Sequence, residues 1–129
     1  MKKMILLALS ATFLTACQDS LEERATKEAK LYTQKNCPAI IAKNLRMDSL
    51  TFEVASHTLR YYYTFLNEYD TVGVMNNDMA REALLSELKN STSMIAYKEA
   101  GYRFTYTYHS EKNPNVVLFE TTYTEKDYK

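Results

Sequence analysis

The sequence predicts an α+β fold of order α-β-β-α-β-β, an antiparallel four-stranded sheet with helices packed on one face. Three observations lead there. Ser20-Leu21-Glu22-Glu23 matches a helix capping box and opens a run of apolar residues at helical spacing. Two later stretches alternate aromatic or aliphatic residues with threonine and charge, the period of half-buried strands. Between those stretches lies a second segment of helical periodicity.

The first helix is expected from Ser20 to Gln34, with Leu21, Ala25, Ala29 and Tyr32 on one face. Pro38 disfavours helical geometry at Cys37 and ends it. The first hairpin follows: Leu50, Phe52 and Val54 alternate with Thr51 and Glu53, and Thr58 to Leu66 returns. On that second strand Leu59, Tyr61, Tyr63 and Phe65 share the face expected to look toward the core. Asn67 to Met75 reads as a polar loop. Asn76-Asn77-Asp78 offers caps for a helix carrying Ala80, Leu84 and Leu88. Met94 to Glu99 reads as a helical turn with Gly101 as its C-terminal cap. Tyr102, Phe104, Tyr106 and Tyr108 begin the second hairpin, Lys112-Asn113-Pro114-Asn115 turns it, and Val116 to Thr124 closes it before a charged tail.

The residues before this domain form three zones. Lys2 and Lys3 are a positive start, Met4 to Phe13 are mainly apolar, and Leu14-Thr15-Ala16-Cys17 closes the segment. An apolar run of about ten residues falls well short of the roughly twenty that span a bilayer as helix. It suits a signal peptide. The closing tetrapeptide resembles the bacterial lipobox, Leu-x-Ala-Cys. That resemblance implies lipidation at the Cys17 thiol after loss of residues 1–16, leaving a single small lipid-anchored domain over residues 17–129. Two or three acyl chains anchor stably where one does not. Gln18, rather than Asp, follows the cysteine; by resemblance to Gram-negative sorting this favours the outer membrane, with the periplasmic or surface face open.

Composition narrows the chemistry. Basic and acidic residues number 16 each, and loss of Lys2 and Lys3 leaves a slightly acidic chain, which argues against a nucleic-acid partner. With two glycines, no dinucleotide fingerprint, phosphate loop or nucleophile elbow can be written. His57 and His109 are the two histidines, too few for a zinc cluster, so no cofactor or metal is expected. Cys37 reads first as a small buried thiol, with an intermolecular disulfide or a reactive thiol as alternatives. A Cys37–His pair for catalysis requires closeness in space that the sequence does not supply.

Eleven tyrosines without a tryptophan are the compositional excess. They read mainly as core rings with hydroxyls at the rim. The alternative is an exposed platform for a protein or sugar, formed by Tyr61, Tyr62, Tyr63, Tyr102, Tyr106 and Tyr108, with Tyr62 the foremost outward member. Asp19-Ser20-Leu21, Asp48-Ser49-Leu50 and Asp70-Thr71-Val72 each resemble the Asp-Ser/Thr-apolar acceptor of Bacteroidetes O-glycosylation. Thr71, in a loop, is the foremost candidate, with Ser49 and Ser20 behind it.

Asn36-Cys37-Pro38, Leu45-Arg46-Met47-Asp48-Ser49-Leu50 and Tyr61-Tyr62-Tyr63-Thr64 resemble an uncharacterised group of small exported bacterial proteins, as does the stretch from Lys98 to Tyr106. The resemblance implies a helix-and-hairpin lipoprotein of Bacteroidetes type. Members often carry a second cysteine near the second helix, which this chain lacks. The readings in order are a non-catalytic binding module for a protein or glycan, a periplasmic inhibitor or immunity-type protein, and a Cys37-dependent hydrolase.

Overall fold

The computed structural model describes residues 19–129. The signal segment, the lipobox residues Leu14, Thr15 and Ala16, and Cys17 lie outside the described residues.

Helix α1 spans Leu21–Asn36 and is capped by Ser20, whose hydroxyl accepts the Glu23 N–H at 3.2 Å. It ends where Cys37 takes an extended conformation ahead of Pro38, as a pre-proline residue must. Three strands follow, β1 (Ala39–Ala42), β2 (Leu45–Glu53) and β3 (Thr58–Phe65), then a 3-10 turn at Asn67–Tyr69 and α2 (Asn77–Asn90) with Asn76 as its cap. Then come α3 (Ile95–Glu99), β4 (Arg103–Ser110), β5 (Val117–Tyr123) and a short α4 (Glu125–Tyr128). Gly101, at φ +78°, closes α3: its N–H bonds the Lys98 carbonyl and the Tyr102 N–H reaches back to Tyr97. That left-handed position suits glycine.

The fold class is α+β, but the sheet differs from the four antiparallel strands expected. It has five strands in the order β1-β2-β3-β4-β5, and its central pair, β3 and β4, is parallel from Thr58↔Arg103 to Phe65↔Ser110. The crossover through α2 and α3 explains the difference. It carries the chain back to the end where β3 began, and a parallel pair needs such a connection. A hairpin-by-hairpin reading sees local turns and misses where a long crossover returns. Strand β1 was missed because it is four residues long and mostly exposed. The start of β2 was missed because a bulge between Met47 and Ser49 breaks the alternation, so that Met47 and Leu50, three apart, both point inward. The charged tail is in fact α4, whose Tyr128 is buried and donates to the Tyr102 carbonyl at 2.7 Å.

One face of the sheet carries Met47, Leu50, Leu59, Tyr63, Phe65, Phe104, Tyr106, Tyr108, Phe119 and Tyr123, all buried. Parallel pairing aligns their rings in columns, Tyr61 on Tyr106 at 4.8 Å and Tyr63 on Tyr108 at 4.6 Å. Helix α1 lies over β2 on this face through Ala25 and Ala29, which are 0% and 2% exposed. Small side chains at i and i+4 let a helix approach a sheet closely.

Candidate interaction site

Close approach of α1 to the sheet leaves a crevice of about 230 Å³ between α1 and the α2–α3 turn. Ala25 and Ala29 form one wall, Leu50 and Leu59 the floor, and Ser93, Met94 and Tyr97 the other wall. The lining is mainly apolar, with the Glu28 carboxylate at the mouth. Tyr97, 1% exposed, donates its hydroxyl to Glu28 and so ties α3 to α1. Burial chiefly, and then the Glu28 bond, push the Tyr97 hydroxyl well above the ordinary tyrosine range. Tyr32, also lining the crevice, directs its hydroxyl to Met47 Sδ at 3.6 Å. The chemistry available is apolar contact with one polar rim, which suits anchoring a side chain.

The proposed tyrosine platform does not form as an exposed surface. Tyr63, Tyr102, Tyr106 and Tyr108 are buried under the helices, and Tyr61 is half-buried on the same face. The alternation that made them strand residues also turned them inward, where rings remove the most apolar area from water. Burial pushes the Tyr61 and Tyr128 hydroxyls up to about 12, and those of Tyr63, Tyr106 and Tyr108 further still. Tyr62 lies on the opposite face, half-buried, its ring 6.1 Å from that of His109. This face carries threonines bonded to their neighbours: Thr105 to Thr122 at 2.8 Å, Thr107 to Glu120 at 2.8 Å and Thr64 to Asp48.

The potential nucleophile and its bases are not assembled. His57, in the β2–β3 turn, bonds Glu22 at 2.8 Å near the start of α1. Cys37 caps the other end of that helix, roughly 22 Å along the axis at 1.5 Å per residue. His109 stands on β4, separated by β3 from the Asp48 region that faces Cys37. Cys37 is half-buried and unpaired among the described residues, and burial, then the Asp48 carboxylate, raise its pKa and so lower its thiolate fraction. Among the described residues no group of three His, Cys, Asp or Glu side chains is placed to hold a metal.

Of the glycosylation candidates, Ser20 caps α1 and Ser49 sits within β2. Thr71 is exposed, beside Val72 at 87% exposure. Asp70 of this loop accepts the Lys112 N–H at 2.8 Å, and bonds to Ser110 and Lys112 hold its carboxyl below the usual range. The crevice residues Glu28, Met94 and Tyr97 escaped the sequence reading. The Ala25/Ala29 spacing was visible, but the opposing wall lies some 69 residues onward and depends on the crossover.

Residues 1–18 match the model described as prokaryotic membrane lipoprotein lipid attachment site. No curated protein matches the chain. Three solved structures share the fold. A protein of Pseudomonas aeruginosa described as secreted aligns at TM-score 0.68 and 15% identity, covering 87% of this chain and 100% of that one. EpsS, the pilotin of the Vibrio vulnificus type 2 secretion system, aligns at 0.66 and 11%, covering 84% and 92%. AspS, the type II secretion system pilotin of Vibrio cholerae, aligns at 0.60 and 12%, covering 83% and 91%. At these identities the likeness is one of fold. A family model matches residues 20–119, and the chain belongs to that family, described as Domain of unknown function (DUF8479).

Proposed function

We propose that this chain is an envelope lipoprotein, anchored at Cys17 after removal of residues 1–16, whose single domain over residues 17–129 is a non-catalytic module for a protein partner. The carrying observation is the crevice between α1 and the α2–α3 turn, apolar within and rimmed by Glu28. It fits an apolar side chain presented by a partner better than it fits a sugar, which would call for more polar groups. Shared fold with two pilotins supports an assembly role at the outer membrane, as does Gln18 after the cysteine. Within this reading the organism is of Bacteroidetes type, and Thr71 is the O-glycan acceptor because its side chain is exposed.

A photo-reactive residue placed at Ser93 or Met94 in the native envelope tests the module. The expected result is a discrete cross-linked protein from these positions and none from a control at Val72. Equal labelling at Val72, or none at the crevice, overturns the reading.

A further inference from the structure

Beside the crevice, on the outer side of α1, two hollows of about 300 and 310 Å³ share Thr26 and so form one groove. It runs from Gln34 to Ser20, roughly 21 Å of helix. Its other wall is the edge of β2. Strand β1 pairs with that edge only from Leu45 to Met47. Beyond the bulge, residues 49–53 have no neighbouring strand on this side, and α1 meets the edge at Leu50.

The hydrogen bonding of this edge is specific. The Thr33 hydroxyl donates to the Leu50 carbonyl at 2.8 Å and accepts the Leu50 N–H at 2.9 Å. Leu50 therefore turns both backbone groups outward. Alternate residues of an antiparallel strand share an edge, so Phe52 does the same. Phe52 has no partner there among the described residues. One hydroxyl thus stands in for a missing strand at Leu50, and the next outward pair is vacant.

We propose that this edge is a second binding site, which receives an extended segment of another protein by strand addition to β2. Unmatched backbone donors and acceptors select an extended chain over a helix. Charge selects its side chains. Glu22 and Glu23 make the Ser20 end acidic and Lys27 is engaged there by Asp19 at 2.7 Å, whereas Lys30, exposed toward the Gln34 end, has no carboxylate partner among the described residues. The occupant carries a carboxylate toward Lys30 and apolar residues at alternate positions toward Ala29 and Leu50. The groove shares Ala29 and Leu50 with the crevice, but the site rests on the backbone edge at Phe52 and stands without that reading.

The test uses the full lipidated chain in detergent micelles and a synthetic peptide of alternating valine and threonine with one aspartate. Amide hydrogen exchange is read residue by residue. The expected result is at least about tenfold slower exchange at Phe52, with β5 unchanged, and about threefold to tenfold tighter binding by Thr33→Ala, which removes the side chain standing against the Leu50 groups. Thr26→Arg, which fills the groove at its midpoint without touching the core, removes the protection. No protection at saturating peptide, or protection on β5 instead, overturns the site. A Thr33→Ala dimer with Phe52 protected in the absence of peptide also overturns it, because the occupant is then a second copy. Cross-linking at Ser93 is unaffected in every case, so failure here leaves the crevice reading separately decided.

Discussion

The two faces of the central strands are built from one alternating sequence and hold together by different physics. On the helix-covered face, Leu59, Phe104, Tyr106 and Tyr108 exclude water as stacked rings and aliphatic chains. On the open face, Thr58, Thr105 and Thr107 are equally inaccessible, at 4%, 3% and 2%, although no helix among the described residues covers them. The Thr105 and Thr107 hydroxyls bond sideways along the sheet to Thr122 and Glu120, and that of Thr58 bonds Ser56 in the adjoining turn. Low exposure therefore does not identify the core here. The chemistry at each position does, because apolar area contributes about 25 cal/mol per Å² removed from water while a neutral hydrogen bond nets roughly 1 kcal/mol.

That comparison can be broken most directly at Phe104, which is 0% exposed. Phe104→Ala is expected to cost about 3–5 kcal/mol in urea unfolding. Next is alkaline pH. Tyr61 and Tyr128 have hydroxyls raised from 10.0 to about 12 by burial, so the unfolded chain loses these protons first. Their contribution to stability is whole below pH 10 and is lost as pH rises through 12. Tyrosinate absorbance from the covered face should appear together with loss of the circular dichroism of the sheet. Buried rings that ionised with the fold intact would mean the helices do not seal that face. Smaller still, Thr105→Val on the open face should cost about 1 kcal/mol, the net of one hydroxyl pair. A cost equal to that of Phe104→Ala would erase the distinction. Tyr97→Phe should cost less than about 1 kcal/mol, since Glu28 is half exposed and its bond is screened. Its effect is expected in crevice cross-linking rather than in the unfolding midpoint.

Much of the fold was legible because its signals are local. Ser20 and Asn76 cap the helices they were expected to cap, and Gly101 closes α3. Leu59, Tyr63 and Phe65 face inward as alternation requires. What escaped is non-local. The parallel β3–β4 pairing depends on the path of residues 66–102, and β1 is held in place by its partner rather than by its own pattern. The crevice is less legible still. Its walls come from α1 and from the α2–α3 turn, and no spacing in the sequence states that Glu28 meets Tyr97. Likewise the groove beside α1 exists because β1 stops short, and a strand's ending is set by its neighbour's geometry.

The central parallel ladder also sets an order in time. Residues 58–65 must wait for residues 103–110, some 45 positions later, before their inner edge is paired. A chain emerging from the ribosome can complete α1 and the β1–β3 meander and still hold an open edge on its most aromatic strand. Pairing across so long a loop closes slowly relative to local hairpins. Pairing of that edge is therefore expected late in folding, and pulsed hydrogen exchange should protect β1 and β2 before the inner edge of β3.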